Sequence, residues 1–309
     1  MKSSKNSTKK IEYTNIFYVK RSQELLEFLL EKMNTSRNNI KTLLSKNQVS
    51  VNGSCVRQFN YMLAKEDVVR ISKYPMPEYI DDFTTNNKKK KKEKDIDILY
   101  EDDNYIAIDK PYDMLSVEDD KGSLSAYYHI EKYLSSYDKT KRPYVIHRID
   151  KETSGILVFA KNPKVQSILR LNWDDYVLKR EYIAIVEGHM KEKEETITSY
   201  LIEDENNLMY VAKGHDGQKA VTKYEVLREN VAYSLLKVDI KTGRKNQIRV
   251  VLKSLSHPVV GDKKYNISGK DPIKRLGLHA SLFSFKDPIT NKIITIKSKT
   301  PSQFNSLFM

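Results

Sequence analysis

Cysteine is nearly absent: Cys55 stands alone in 309 residues. An intrachain disulfide is excluded, which fits a reducing compartment. Cys55 reads as a small buried or half-buried side chain. Long hydrophobic runs are missing too. No stretch of about 18 consecutive apolar residues occurs, so no transmembrane helix is expected. The opening MKSSKNSTKK is polar and basic and lacks the apolar core of a secretory signal. A cytoplasmic protein is the expectation. Glycine is scarce at 10 residues, and no glycine-rich phosphate loop follows any apolar run, which argues against a nucleotide-binding doubly wound fold. The histidines His129, His147, His189, His215, His257 and His279 show no HExxH spacing and have no cysteine partners, so no metal site is expected. His147 reads as a structural hydrogen-bonding residue rather than a general base.

Acidic charge is thin in the first third. Residues 1–94 carry 20 Lys and Arg against 10 Asp and Glu, while the whole chain carries 54 against 41 and a net charge of +13. Most of the excess therefore sits ahead of residue 95. Such a segment is drawn to polyanions, RNA or DNA first. No apolar anchor accompanies the charge, so a membrane surface is the weaker candidate.

Residues 1–15, rich in Lys, Ser, Asn and Thr, read as a disordered basic tail. A compact domain over 16–78 follows. Ser22 is placed to cap a helix whose apolar residues Leu25, Leu26, Leu29, Leu30 and Met33 share one face. Thr35 or Ser36 is placed to cap a second helix with Ile40, Leu43 and Leu44 inward and Arg37, Lys41 and Lys46 outward. A strand at Val49–Val51 runs into an Asn52-Gly53 turn, and another strand is expected near Val68–Ile71. The stretch SRNNIKTLLSKNQVSVNG resembles the S4 RNA-binding module. That resemblance implies a small α/β domain holding structured RNA on the basic face of its second helix, through Arg37, Lys41 and Lys46. A plain helix pair with a solvated basic face is the alternative.

Residues 79–95 read as an extended linker with five consecutive lysines. From residue 96 to 309 short apolar runs dominate: Ile98–Tyr100, Tyr105–Asp109, Tyr144–His147, Ile156–Ala160, Tyr182–Val186, Val221–Val226, Tyr233–Ile240, Leu282–Phe285 and Ile293–Lys297. Helices are expected at Leu124–Tyr137, at Lys164–Trp173 and after Gly243. Strands outnumber helices and often follow one another directly. The expected class is α+β with a mainly antiparallel mixed sheet.

Within HRIDKETSGILVFAKN (147–162), Asp150 has an unusual setting. An apolar run leads to it, a Thr-Ser-Gly turn permits close backbone approach, and the following Ile156–Ala160 run is apolar throughout. A carboxylate at such a rim needs hydrogen bonds or a cation to compensate it.

The same residues resemble the signature motif of the RluA-type pseudouridine synthases. Further blocks occur in the family's order: IAIDKP (106–111), KREYIAIVEG (179–188), TGRKNQIRV (242–250), GDKKYN (261–266) and LGLHA (276–280). Two positions depart from the family pattern. Asn246 stands where histidine is common, and Asn266 where glycine is common. Asn246 is expected to tune the site through hydrogen bonds, and Asn266 to tolerate a left-handed turn.

The resemblance implies isomerisation of uridine in RNA to pseudouridine with no metal, nucleotide or redox cofactor. It makes Asp150 the essential nucleophile or base, by attack at C6 of the base, attack at C1′ of the ribose, or deprotonation at C2′. Arg249 of the QIR block is implied as its ion-pair partner, with a surface arginine as the alternative. Tyr182 is implied as the active-site tyrosine, although a chain with 20 tyrosines also places them in strand cores. Arg148, a flat cation that stacks on bases, is implied in base flipping. Leu278 is a candidate apolar wall against the base or an ordinary core residue. Large-subunit ribosomal RNA is the first substrate candidate and transfer RNA the second, with a monomer as the default state. Two other readings compete. A non-catalytic RNA-binding or ribosome assembly factor would dispense with Asp150, Tyr182 or Arg249. A glycosidase-like hydrolase calls for two carboxylates, and Glu152 lies too near Asp150 in sequence to be an obvious partner.

Overall fold

The computed structural model describes residues 11–65, 67–76, 96–118, 124–138, 140–266 and 271–308. The whole of the expected linker, and residues 1–10 of the expected tail, lie outside these. The chain divides into two compact units, residues 1–93 with 117–123, and residues 94–116 with 124–309.

The first unit contains β1 (Tyr13–Tyr18), β2 (Gln23–Glu24), α1 (Leu25–Lys32), α2 (Arg37–Ser45), β3 (Val49–Val51), β4 (Ser54–Cys55), β5 (Met62–Leu63) and β6 (Val68–Ser72). Four strands form a sheet in the order β1-β6-β3-β4, and β2 pairs with β5. Leu25, Leu29, Ile40, Leu44, Val49 and Val69 make the centre of its core. Asn52 and Gly53, at φ 50° and 90°, close the β3–β4 hairpin in the left-handed backbone region that Asn and Gly tolerate. Ser36 caps α2 by accepting from the Asn39 N–H at 3.3 Å.

Two expectations for this unit are corrected. Ser22 does not cap α1: its hydroxyl donates to the Leu63 carbonyl at 2.7 Å. Instead the Leu25 and Leu26 N–H groups donate to the carbonyls of Tyr61 and Phe59, so a loop does what a side chain was expected to do. Tyr13, Thr14 and Asn15, placed in the tail by composition, belong to β1, where the backbone ladder to β6 holds them.

The second unit follows with β7 (Asp97–Glu101), β8 (Tyr105–Lys110), α3 (Ala126–Tyr137), β9 (Tyr144–Val145), β10 (Ser154–Ala160), α4 (Pro163–Leu171), α5 (Trp173–Tyr176) and β11 (Val177–Glu187). Then come β12 (Glu194–Glu203), β13 (Met209–Val211), β14 (Gln218–Glu229), β15 (Tyr233–Ile240), α6 (Gln247–Ser254), β16 (Leu278–Lys286), β17 (Ile293–Lys297) and α7 (Ser302–Ser306). Their strands make one eleven-stranded sheet, ordered β13-β12-β14-β15-β11-β16-β10-β8-β7, with β17 on β16 and β9 on β10. Its strand pairings are antiparallel except β10 with β16, which join in parallel at Ser154–His279 and Gly155–Ala280. The α+β class with a mainly antiparallel mixed sheet is what the fold contains.

The strand expected at Tyr144–His147 ends at Val145. His147 leaves the ladder because its ring is used elsewhere. Its Nε2 accepts from the Val158 N–H at 3.1 Å, and the ring stacks on Phe283 at 4.6 Å and 7°. Asp150 therefore sits on irregular chain between β9 and β10. Among the described residues no helix is long and apolar enough to cross a membrane.

Candidate active site

The segment bearing Asp150 is fastened on both flanks. Before it, the Ser116 hydroxyl accepts from the Ile149 N–H at 3.2 Å and donates to the Ile149 carbonyl at 2.7 Å. After it, the Lys151 carbonyl accepts from Lys110 Nζ at 3.1 Å. Lys110 is fully buried, and its ammonium also donates to the carbonyls of Pro111 and Met114. Three carbonyls thereby compensate a cation that would be prohibitive to bury alone. The Thr153 N–H donates to the Asp150 carbonyl at 3.0 Å, closing the turn. Gly155 then adopts φ 107°, and a Cβ there would stand 2.2 Å from the Ala280 carbonyl oxygen. The parallel β10–β16 junction requires glycine at that point.

Arg249 enters from α6 with only 3% of its side chain exposed. Its Nε and Nη2 donate to the two oxygens of the fully buried Asp262, each at 2.7 Å. Nη2 also meets Glu152 Oε2 at 3.0 Å, and Nη1 stands 3.6 Å from Asp150 Oδ2. One guanidinium thus faces three carboxylates. The contact with Asp150 is a charge contact, longer than a hydrogen bond. Burial would lower the Arg249 pKa, but the hydrogen bonds and charge of Asp262, then the charges of Asp150 and Glu152, more than offset it and raise it. The cation is permanent, and an adjacent cation favours the ionised form of a carboxylate. Asp150 keeps 33% of its side chain exposed.

Asn246 completes the setting of Arg249. It takes a left-handed φ of 53° at the start of α6. Its Oδ1 accepts from Arg249 Nη1 at 3.3 Å, and its Nδ2 donates to the Tyr265 hydroxyl at 3.0 Å. The Tyr265 ring lies 5.2 Å from the guanidinium carbon. Asn266 was expected to supply a left-handed turn, but it is not among the described residues with positive φ. Its side-chain amide donates to Glu187 Oε1 at 2.8 Å and to the Val259 carbonyl at 3.4 Å, tying the turn to the end of β11.

Tyr182 is half-buried on β11, between Val238 of β15 and Ala280 of β16. Burial raises its phenol pKa, with the nearby Arg180 charge opposing and the Asp150 carboxylate reinforcing the shift. The hydroxyl is therefore a proton donor at neutral pH. Leu278 is 3% exposed and sits in the core cluster against which Tyr182 packs. Arg148 is half-buried two residues before Asp150 on the same irregular segment. Asp150 is thus brought within electrostatic range of both Arg249 and Tyr182, residues from separate parts of the chain. Arg37, Lys41 and Lys46 all lie exposed on or just after α2 of the first unit. Among the described residues no group of His, Cys, Asp and Glu is arranged to hold a metal ion.

Sequence reasoning passed over Asp262, Lys110 and Ser116, and set Glu152 aside as too close to Asp150. A signal existed for Lys110: alternation along YIAIDK puts it on one strand face with Ile106 and Ile108, the face of a buried run. No local signal marks Asp262 or Glu152 as partners of Arg249, because their meeting is purely tertiary.

The profile of the RNA pseudouridylate synthase family matches residues 104–254. The uncharacterized RNA pseudouridine synthase YlyB of Bacillus subtilis is 30% identical over 294 residues, spanning 93% of each chain. The tRNA pseudouridine synthase C of Haemophilus ducreyi is 33% identical over 235 residues, covering 69% of this chain and 95% of its own. The ribosomal large subunit pseudouridine synthase D of Borreliella burgdorferi is 37% identical over 177 residues, 55% of this chain and 54% of its own. The solved structure of human RNA pseudouridylate synthase domain containing 4 matches with a TM-score of 0.56 at 23% identity, over 68% of this chain and 90% of that one, a likeness of fold. Similarity that runs along nearly the whole chain, with an aspartate and arginine meeting at its centre, places this protein in the RluA-type family of RNA pseudouridine synthases, enzymes that isomerise uridine within RNA.

Proposed function

We propose that this synthase acts on uridines of large-subunit ribosomal RNA and that Asp150 carries the chemistry. The observation behind the catalytic assignment is the Asp150–Arg249 charge contact at 3.6 Å. The arginine is committed to Asp262 by hydrogen bonds and to Glu152 by an ion pair, so it lends Asp150 its charge without gripping the carboxylate. The reaction breaks the N1–C1′ bond, forms a C5–C1′ bond, removes a proton from C5 and leaves one on N1. Nothing is gained or lost overall, so no co-reactant is consumed. Attack at C6, attack at C1′ and deprotonation at C2′ all begin from an ionised Asp150.

Tyr182 stacks on the uracil ring and offers its protonated hydroxyl. Extracting a uridine from stacked RNA costs roughly a few kcal/mol. Arg148, beside Asp150 on the same segment, fills the gap and holds phosphate. The first unit holds the RNA as an S4-like module, with Arg37, Lys41 and Lys46 toward the phosphates. Arg37 also pairs with Glu27 at 2.6 Å, an exposed ion pair weak enough to exchange for phosphate.

The name of the Borreliella relative supports the ribosomal substrate. That of the Haemophilus relative supports transfer RNA as the second reading. Mapping pseudouridine across cellular RNA with and without this protein decides between them. Asp150→Asn is expected to abolish pseudouridine formation while leaving the fold and RNA affinity intact. Turnover surviving in that variant overturns the catalytic assignment.

A further inference from the structure

Phe59 is 48% exposed, yet its backbone carbonyl is tied to the start of α1. The α1 helix has no side-chain cap. Its first N–H groups are satisfied by the loop that carries Phe59: Leu26 N–H donates to the Phe59 carbonyl at 3.0 Å and Leu25 N–H to the Tyr61 carbonyl at 2.8 Å. Tyr61 packs against the unit's core. A large apolar ring is thus presented to solvent from a fixed position. Ordering it on binding requires little loss of backbone freedom.

Its surroundings are cationic. Lys41 Nζ of α2 lies over the ring, 5.3 Å from its centroid. Arg57, two residues earlier on the loop, is exposed and donates through Nε to Asn47 Oδ1 at 2.6 Å, which brings it beside the C-terminal end of α2, where Lys46 is exposed. An aromatic face set among lysine and arginine is the chemistry that takes an unpaired nucleotide. The ring stacks on the base, and the cations meet the flanking phosphates. Phosphate contact alone would not need the phenyl group.

We propose that Phe59 is a stacking platform for an unpaired nucleobase of the bound RNA, with Lys41, Lys46 and Arg57 holding the adjoining phosphates. This rests on the reading of the first unit as an RNA-holding module. It adds recognition of a base to a surface otherwise read as recognising charge alone.

The test uses full-length protein and two polyanions, a uridine-rich single-stranded RNA oligonucleotide and heparin, which has charge but no bases. Phe59→Trp is expected to show fluorescence quenching with the oligonucleotide and none with heparin, against a wild-type background from Trp173. Phe59→Ala is expected to weaken oligonucleotide binding roughly tenfold with an unchanged salt slope. Lys41→Ala is expected to reduce that slope by about one. Equal quenching by heparin, or unaltered RNA affinity in Phe59→Ala, overturns the proposal, the latter leaving the ring to a protein partner. The read-out is binding and not turnover. Activity surviving in Asp150→Asn would therefore defeat the catalytic reading while leaving Phe59 to be judged by its own titration.

Discussion

Asp262 holds Arg249 in a two-pronged grip, Nε to Oδ2 and Nη2 to Oδ1, both at 2.7 Å. The pair is buried, and the grip sets the direction in which the guanidinium faces Glu152 and Asp150. Asp262→Asn keeps the shape and removes the principal counter-charge of a buried cation. A stability loss of about 3 kcal/mol is expected in urea unfolding, with kcat falling because Arg249 is released. Wild-type stability and kcat in this variant would show that Arg249 is held by other means.

Glu152 and Asp150 share that guanidinium and are about equally exposed, at 32% and 33%, yet their expected roles differ. Glu152 spends its carboxylate on a 3.0 Å contact with Nη2, whereas Asp150 stands off at 3.6 Å. Glu152→Gln is expected to retain turnover to within about tenfold, and Asp150→Asn to lose it by about a thousandfold or more. Comparable losses in the two would move the chemistry from one residue to the pair.

His279 links the start of β10 to Ser298, which follows β17. Its Nδ1 contacts Ser154 Oγ at 2.9 Å and its Nε2 contacts Ser298 Oγ at 3.0 Å, while the Ser298 hydroxyl donates to Asp109 at 2.7 Å. Burial, with the Arg275 charge adding to it, lowers the His279 pKa from 6.5 to about 4. A depressed folded-state value means that the unfolded chain binds the extra proton first. The stabilisation is complete above about pH 6.5 and is lost as pH falls toward 4. The whole effect is about 3 kcal/mol. Stability measured by denaturant from pH 7 to 4 is expected to fall, and His279→Gln is expected to flatten that fall by about one proton equivalent. An identical slope in the variant would remove His279 from the account.

Gly155→Ala forces a Cβ against the Ala280 carbonyl at a φ of 107°. A loss of about 3 kcal/mol or more is expected, which for a unit of this size lowers Tm by about 6–12 °C. An unshifted thermal transition would mean that the β10–β16 junction adapts at little cost.

Local features of the fold were legible in the residues. Val49–Val51, the Asn52-Gly53 turn and the Ser36 cap follow from alternation, backbone preference and a hydroxyl one position ahead of a helix. Ile293–Lys297 was delimited to the residue. One edge strand was not. Tyr13–Tyr18 lies at one side of its sheet, with Thr14, Asn15 and Ile16 exposed, so its sequence carries little hydrophobic alternation to read. Glu194–Glu203 lies inside its sheet, between β13 and β14, and was also missed: it begins with three exposed residues. His147 left its strand because a ring nitrogen found the Val158 N–H, a choice no periodicity announces.

By itself the sequence determined the class of fold, the cationic first third, and the segment that carries the carboxylate proposed for the chemistry. These depend on composition, on period-two patterning and on motif residues close together in the chain. The tertiary structure alone decided how Arg249 divides its nitrogens among Asp262, Glu152 and Asp150, and that a buried Lys110 and Ser116 fasten the segment on either side of Asp150. A guanidinium has a fixed fork of donors and a reach of a few ångströms. Which acids it serves is settled only when the sheet has folded and brought distant residues within that reach.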